Sequence, residues 1–301
     1  MKESELLDLV RIKFSEISIK SSHFITDGWD HYVLLINNDI IFRFPKTDEY
    51  RKIFLQEINF LQFIQDKINW VALPDYIYTS KDPLFWWYKS LWGKNLLEIL
   101  KTEKSTINKR NIGYCIGHFL YSLHKITITS IEAREYWVEW SKNRHQKNIE
   151  CFQENIKILK STFSGSDLKK IYTFIEKYKN IIWFKFECRL IHGDLHKKHI
   201  LVWKDKPGII DFWDRAWDDP AIDFAWVMLE QEILEEILGI YPVGKDKYFL
   251  QRAFAYKVSA PLRHIIDFYR WKSPIWITLS PEDEIRKFQK YTKHNYFNFF
   301  K

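Results

Sequence analysis

Apolar residues recur at helical spacing near the start of the chain and again after residue 50, with a stretch rich in strand-forming residues between them. The helical period predicts helices over Glu3–Phe14 and Tyr50–Ile68. Between them, His31–Asn37 and Asp39–Phe44 are predicted as two strands, because the residues around Asn38 favour the tight turn of a hairpin. The first part of the chain should therefore fold as a helix, a hairpin and a second helix.

The pattern changes at Gly93. Before it, two further strands, Asp75–Thr79 and Leu84–Leu91, complete a small sheet. After it, short strands at Ile200–Trp203 and Gly208–Ile210 interrupt a series of helices predicted at Arg110–Ile126, Ala133–Thr162, Ser166–Tyr178, Pro220–Leu238, Tyr248–Arg270 and Pro281–Tyr291. We predict an α+β fold with two lobes, in which residues 1–91 form a small antiparallel β-sheet with one main helix and residues 92–301 form a larger, mostly helical lobe.

Composition excludes several classes of protein. Charged residues make up 28% and hydrophobic residues 46% of the 301 positions, as in a folded globule. The net charge is +7, but lysines and arginines are scattered among acids, so no nucleic-acid partner is expected. The three cysteines form no CxxC pair, which favours reduced thiols over a disulfide or a zinc site. With no signal peptide and no apolar run of membrane-spanning length, we expect a cytoplasmic monomer without a membrane partner.

Two carboxylates at neighbouring strand ends carry the chemistry of the second lobe. Asp194 closes a His-Gly-Asp sequence ahead of one short strand, and Asp211 follows the next strand directly. Such a pair suits phosphoryl transfer, in which one acid orients the attacking hydroxyl and the other holds Mg²⁺ on the nucleotide phosphates. His199, five residues after Asp194, could reach the phosphates, the metal or Asp211, although imidazole is a poorer Mg²⁺ ligand than a carboxylate. Either acid alone could be a turn residue or a strand-end cap, whereas the pair favours a phosphotransferase.

A second group of charged residues lies in the first lobe. Arg43 and Lys46 flank the end of the second hairpin strand, and Glu57 lies on the following helix beside its buried face. A strand cation held by a helix acid is how kinase-type sites grip the nucleotide phosphates. A surface ion pair explains the same residues equally well.

Several segments resemble one family. They are IIFRFPK at 40–46, QEINFL at 56–61, LIHGDLHKKHIL at 190–201 and GIIDFWD at 208–214, followed by Asp219-Pro220 and Asp223-Phe224. Together they resemble antibiotic phosphotransferases of the aminoglycoside type, which share the protein-kinase-like fold. The resemblance spans roughly residues 24–224, and 190–224 is its specific part.

The resemblance implies roles for individual residues. Asp194 matches the catalytic aspartate, Asp211 the metal aspartate and Glu57 the helix glutamate, while the backbone near Ser90 and Leu91 matches the hinge that meets the purine. It also implies that ATP or GTP is the phosphate donor, with Mg²⁺ as the cofactor.

Three residues depart from the family pattern. Arg43 stands where many members have lysine, and its planar fork differs in geometry from an ammonium group. His199 stands where many kinases have asparagine, although some aminoglycoside and macrolide phosphotransferases also carry histidine there. Trp213 replaces the usual small residue after Asp-Phe.

The acceptor has to be inferred from acids and aromatic residues. A polycationic aminoglycoside needs several carboxylates, and an acidic cluster follows the metal motif, with Asp214, Asp218, Asp219 and Glu230 as candidate substrate contacts. Glu232, Glu235 and Glu236 fit better as solvated positions of a helix. Trp213, Trp217 and Trp271 could stack on sugar rings or line an apolar pocket.

Other functions share these catalytic residues. A macrolide phosphotransferase would need an apolar acceptor pocket, and a kinase for choline or an amino sugar would need a smaller one. A non-catalytic nucleotide-binding pseudokinase would account for Arg43 and Trp213. A protein kinase is disfavoured, because no activation segment separates Asp211 from Asp219.

Overall fold

The computed structural model describes residues 2–26, 31–81, 84–91, 93–102, 107–129, 131–132, 144–180, 185–204, 206–242, 246–270, 280–295 and 298. The helices are α1 (Glu3–Lys13), α2 (Asp48–Gln65), α3 (Leu96–Thr102), α4 (Lys109–Lys125), α5 (Arg144–Glu154), α6 (Ile156–Thr162), α7 (Gly165–Asn180), α8 (Gln231–Ile240), α9 (Phe249–Arg270) and α10 (Pro281–Thr292), with a 3-10 helix at Pro220–Phe224. The strands are β1 (Ser22–Ile25), β2 (His31–Ile36), β3 (Ile40–Pro45), β4 (Tyr76–Lys81), β5 (Leu84–Lys89), β6 (Lys94–Asn95), β7 (Arg189–Ile191), β8 (Ile200–Trp203), β9 (Lys206–Ile209) and β10 (Ala216–Asp218).

The chain divides into two compact units. Unit 1 consists mainly of residues 1–107 and Lys197–Ile210, and unit 2 mainly of residues 108–134, 138–196 and 211–301. The hairpin β8–β9 thus belongs to unit 1, whereas the residues before and after it belong to unit 2.

Unit 1 is built on an antiparallel sheet with the strand order β1-β2-β3-β5-β4. The predicted hairpin is present, and its turn residues Asn37 and Asn38 both have positive φ, of 54° and 55°, as a tight two-residue turn requires. The strand β1 was not predicted. On one face of the sheet, α1 buries Leu6 and Val10 against strand residues such as Phe42. The helix α2 begins two residues earlier than predicted, since the Thr47 hydroxyl caps it by accepting from the Tyr50 amide at 3.3 Å.

A second, three-stranded sheet in unit 1 has the order β6-β8-β9. The predicted hairpin of short strands is confirmed, although Pro207 lies within β9 and not in the turn. Its position fits an edge strand, where proline is tolerated. The Ile210 amide donates to the His199 carbonyl at 3.0 Å, so the hairpin stays closed up to the residue before Asp211.

Unit 2 packs helices around a two-stranded ribbon of β7 and β10. The helices α4 and α8 lie close together, and a Cβ atom on Gly113 would meet the Ile233 carbonyl oxygen at 2.8 Å. The predicted helix Pro220–Leu238 is divided in the structure. A 3-10 helix capped by Asp219 covers its start, and α8 begins only at Gln231. Residues 133–143 of the predicted helix Ala133–Thr162 lie outside the described residues, and the rest of it forms α5 and α6. Within the described residues, no helix is both long and apolar enough to span a membrane.

Candidate active site

The ribbon β7–β10 brings the two predicted carboxylates to the same end of unit 2. Ile191 pairs with Ala216 in antiparallel register. The segment leading to Asp194 leaves β7 at this pair, and the segment that starts at Asp211 enters β10 there. Asp194 and Asp211 therefore lie on adjoining loops, although 16 residues separate them along the chain.

The two loops touch at Gly193. This residue has φ +86°, and a Cβ atom added to it would lie 1.8 Å from the Asp214 carbonyl oxygen. The His192 ring also packs against the Phe212 ring, with centroids 4.5 Å apart. Only glycine permits this approach with that φ, so the His-Gly-Asp sequence is a packing requirement as well as a chemical one.

A buried carboxylate holds the backbone of the Asp194 loop. Asp223, which is fully buried, accepts from the His192 amide at 2.8 Å and from the Gly193 amide at 2.9 Å. Its Oδ2 atom also lies 2.9 Å from His124 Nε2. Burial alone would raise the pKa of Asp223, but the contacts with His124, His192 and the Gly193 amide outweigh it and lower that pKa below its ordinary value. Asp223 therefore remains an anion that orders the loop.

Asp194 itself points to a more accessible region. Its side chain is 47% exposed, with Oδ2 at 3.8 Å from His196 Nε2. Its amide donates to His192 Nδ1 at 3.3 Å, and Arg144, at the start of α5, donates to the Gly193 carbonyl at 2.8 Å. The backbone on both sides of the Gly193 peptide is thus fixed, while the Asp194 carboxylate can meet a ligand.

Asp211 adopts a left-handed backbone conformation with φ +67°. The turn after it is closed by Arg215, whose amide and Nη1 atom donate to the Phe212 carbonyl at 3.3 and 2.9 Å. The Asp211 side chain is half-buried. A carboxylate so placed offers hard oxygen atoms, the donors that Mg²⁺ prefers.

In unit 1, the predicted pairing of Arg43 with Glu57 is present. Arg43 Nη1 lies 3.4 Å from Glu57 Oε1, and the Glu57 side chain is 1% exposed. Arg43 also donates to the Tyr76 hydroxyl at 2.9 Å, lies 3.3 Å from His31 Nδ1 and stands 4.4 Å from the centre of the Phe54 ring. Burial raises the pKa of Tyr76 well above its ordinary value although Arg43 opposes this, so the hydroxyl stays neutral. Arg43 is thus a largely buried residue with several partners in unit 1, and its pairing with Glu57 is not a surface ion pair.

The other residues predicted for nucleotide binding also lie in unit 1. Lys46 donates to the Thr26 carbonyl at 3.0 Å and lies 5.0 Å from the Tyr32 ring centre. The Ser90 amide donates to the Asp39 carbonyl at 2.6 Å, and Leu91 packs beside Gly208. His199 is half-buried at the start of the β8–β9 hairpin. Their roles toward a nucleotide stay predictions.

The predicted substrate acids fall into two groups. Asp218 and Asp219 are buried, and Asp219 is fully enclosed, with Arg252 Nε at 2.7 Å and the Tyr256 hydroxyl at 3.2 Å. Burial alone lowers the pKa of Arg252, but Asp219 outweighs it and raises that pKa above its ordinary value. This placement differs from the prediction, because a carboxylate neutralised inside the unit is not available to a bound amine.

The second group remains accessible. Asp214 is exposed and Glu230 is half-buried at the start of α8. Glu232 pairs with Lys109 at 2.6 Å, as expected of a solvated helix position. Trp213 and Trp217 are half-buried, and Trp271 lies outside the described residues.

Sequence reasoning missed the residues that support the loop. Asp223 was noticed only as part of a resemblance, and His124, Arg144 and Arg252 were not singled out. The signal for Asp223 was its place in the segments that carry the resemblance, four residues after Asp219. His124 contacts Asp223 across 99 residues of sequence, a separation that no local pattern reveals.

Gly193→Ala should destabilise the protein by about 2–4 kcal/mol, because a Cβ atom would require both a strained φ and a shift of the Asp214 backbone. Urea unfolding measures this. Gly239→Ala, in α8 where an added Cβ meets nothing within 4 Å, is the control and should stabilise by about 0.5–1 kcal/mol. A Gly193→Ala protein as stable as the parent would contradict the close approach of the two loops.

Comparison with known proteins identifies the relatives of this chain. Residues 22–246, more than half of the chain, match the sequence model of the phosphotransferase enzyme family. A GDP complex of a mutant of aminoglycoside 2'-phosphotransferase-IIIa is similar in structure, with a TM-score of 0.81 and 20% identity over 100% of both chains. The GDP and kanamycin complex of APH(2")-IIIa gives a TM-score of 0.78 and 21% identity over 97% of this chain and 100% of the other. Macrolide 2'-phosphotransferase MphH from Brachybacterium faecium gives a TM-score of 0.66 and 17% identity over 95% of this chain and 98% of the other.

These findings confirm the α+β, protein-kinase-like fold and the prediction of a phosphotransferase. The match also includes every segment on which the resemblance was based. The chain belongs to the phosphotransferase enzyme family.

Proposed function

We propose that this phosphotransferase transfers the γ-phosphate of ATP or GTP to a hydroxyl group of an aminoglycoside antibiotic, and so confers resistance. The observation that carries the proposal is the placement of Asp194 and Asp211 on adjoining loops at one end of the β7–β10 ribbon. Phosphoryl transfer depends mainly on positioning and on stabilising charge, and this arrangement supplies a carboxylate for each task.

Asp194 orients the acceptor. Its accessible carboxylate accepts a hydrogen bond from the attacking hydroxyl and takes up its proton as the oxygen bonds to phosphorus. Asp223 and Arg144 hold the preceding peptide by its amides and its carbonyl. The carboxylate therefore starts from a fixed backbone, which keeps the hydroxyl close to in line with the phosphate.

Asp211 holds Mg²⁺. Its hard oxygen atoms fit that ion, whereas the His199 imidazole fits it poorly and is assigned a hydrogen bond to phosphate or to another ligand of the site. When bound, Mg²⁺ neutralises phosphate charge as the bond to the leaving group breaks.

Arg43 binds the nucleotide phosphates, and Glu57 holds the guanidinium in place. Its guanidinium meets Glu57, Tyr76 and His31 with a planar fork of N–H donors, whose geometry differs from that of a lysine ammonium group. Lys46 acts as a second, more exposed cation, and the backbone at Ser90 and Leu91 meets the purine.

Exposed acids recruit the cationic acceptor. Asp214 directly follows the metal motif and is exposed, and Glu230 is accessible at the start of α8. Single exposed ion pairs are weak, so affinity for a polyamine comes from several together and falls as salt rises. The substrate class is also supported by the likeness to aminoglycoside phosphotransferases.

A macrolide is the second candidate acceptor. The half-buried Trp213 and Trp217 lie beside the Asp211 loop and offer apolar surface, and a macrolide phosphotransferase is among the similar structures. An apolar lactone would bind through these rings with little dependence on salt.

An acceptor panel tests the substrate class. Aminoglycosides, macrolides, choline and an amino sugar are each incubated with ATP or GTP, and products are identified by mass spectrometry. At least one aminoglycoside should gain a phosphate, with a KM that rises with salt. Asp194→Asn is the control and should lower turnover by roughly 10²–10⁴-fold while leaving nucleotide affinity unchanged. Phosphorylation of a macrolide alone would replace the aminoglycoside, and no product with any acceptor would support a nucleotide-binding pseudokinase.

Asp211→Ala should abolish the Mg²⁺ dependence of nucleotide binding, because the anionic ligand of the ion is lost. Calorimetric titration of the nucleotide with and without Mg²⁺ measures this. Asp214→Ala, three residues further on, is the control and should keep the metal dependence of the parent. Equal dependence in Asp211→Ala and the parent would remove Asp211 from the metal site.

Arg43→Ala should raise the nucleotide KM more than Lys46→Ala does, because Arg43 is proposed to hold the phosphates directly. Steady-state kinetics at saturating acceptor give both values. Arg43→Lys separates charge from shape and should recover only part of the loss. A larger effect of Lys46→Ala would move the phosphate contact to Lys46.

A further inference from the structure

A chain of buried polar groups leads from the Asp194 loop to Tyr241, the residue after α8. The Tyr241 hydroxyl meets Nδ1 of His124, and Nε2 of His124 lies 2.9 Å from Oδ2 of Asp223. All three side chains are fully buried. The ring of Tyr241 stands edge-on to the His124 ring at 5.3 Å and packs on Phe224 at 4.8 Å.

The proton positions in this hydrogen-bonded series follow from the residues at its two ends, Tyr241 and Asp223. Burial raises the pKa of Tyr241, and the charges of Asp223 and Asp219 raise it further, so the hydroxyl keeps its proton. Among the described residues, its one hydrogen-bond partner is His124 Nδ1, which therefore accepts that proton. An imidazole that accepts at Nδ1 carries hydrogen on Nε2, and this hydrogen is directed at Asp223.

The Asp223 carboxylate depends on this contact for its orientation. Its Oδ2 atom accepts from both His124 and the His192 amide, while Oδ1 accepts from the Gly193 amide. Without the His124 donor, the carboxylate would be held by the loop alone and could rotate with it. A buried polar network fixes geometry only when every member is satisfied.

We propose that His124 and Tyr241 are positioning residues for phosphoryl transfer: they set the direction of the Asp223 carboxylate and, through it, the backbone that carries Asp194. The kinetic part of this proposal rests on the acceptor-orienting role of Asp194 given above. The contacts act on the acceptor side of the reaction, so they should affect kcat and leave nucleotide binding unchanged. A displacement of about 1 Å at a reacting group can cost roughly 10²-fold in rate.

Three variants test the hydrogen-bonded series from Tyr241 to Asp223. His124→Leu removes both hydrogen bonds at similar volume, His124→Gln keeps an N–H group that can reach Asp223, and Tyr241→Phe removes only the hydroxyl. Tyr178→Phe is the matched control, because Tyr178 is equally buried in unit 2 and its hydroxyl accepts from Asn148 at 3.1 Å. Two quantities are measured: hydrogen exchange of the His192 and Gly193 amides by NMR, and kcat with the nucleotide KM.

In His124→Leu, both amides should exchange roughly tenfold faster or more, kcat should fall by at least about tenfold, and the nucleotide KM should stay within about threefold of the parent value. His124→Gln should recover most of kcat. The kcat of Tyr241→Phe should lie between those of His124→Leu and the parent, and that of Tyr178→Phe should match the parent. Unchanged exchange and kcat in His124→Leu would overturn the proposal. So would equal losses in Tyr178→Phe, since these would mean general destabilisation.

Two further outcomes remain decisive. If His124→Leu does not fold, nitrogen-15 NMR of the parent determines the tautomer, and a proton on Nδ1 in place of Nε2 would overturn the proposal. If the parent phosphorylates no acceptor, the proposed function fails, while amide exchange in Tyr241→Phe still decides whether the chain orders the loop.

Discussion

One carboxylate accepts two consecutive backbone amides, those of His192 and Gly193, and the candidate active site depends on that contact. A buried carboxylate costs several kcal/mol unless donors surround it, and Asp223 has three of them when His124 is included. The loop therefore cannot shift without leaving an anion unpaired in the interior. This contact couples the loop that carries Asp194 to the 3-10 helix, which contains Asp223, and to α4, which contains His124.

The same region concentrates unusual backbone geometry. Gly193 and Asp211 both have positive φ, and each lies on one of the two adjoining loops. Glycine adopts this conformation at no steric cost, whereas an aspartate in it costs of order 1 kcal/mol and persists only when its surroundings impose it. The Arg215 contacts with the Phe212 carbonyl close the turn after Asp211. The chain thus accepts local strain in order to present Asp211 beside the loop of Asp194.

Local patterns predicted much of this architecture, and long-range partners account for what they missed. The β2–β3 hairpin and α2 were predictable because turn residues and helical spacing are encoded within a few positions. Asp194 and Asp211 were placed at neighbouring strand ends for the same reason, and the β7–β10 pairing sets them on adjoining loops. Asp219 was predicted to contact the substrate, because a carboxylate that pairs with Arg252, 33 residues later, looks the same in sequence as an accessible one. The helix predicted over Pro220–Leu238 is divided for a similar reason. Its start forms a buried 3-10 helix, and the spacing of apolar residues does not distinguish a 3-10 helix from an α-helix.

Net charge says little about the local fields in this protein. The chain carries +7 overall, yet two buried carboxylates each pair with an arginine of the same unit, Asp219 with Arg252 in one and Glu57 with Arg43 in the other. Arg252 also holds Asp246, and Arg43 also meets Tyr76 and the Phe54 ring. An ammonium group could not make such sets of contacts, because they require several donors in one plane and a flat face for the aromatic ring. The arginine at position 43 therefore packs against the aromatic core of unit 1, where it keeps the positive charge of a lysine but makes a different set of contacts.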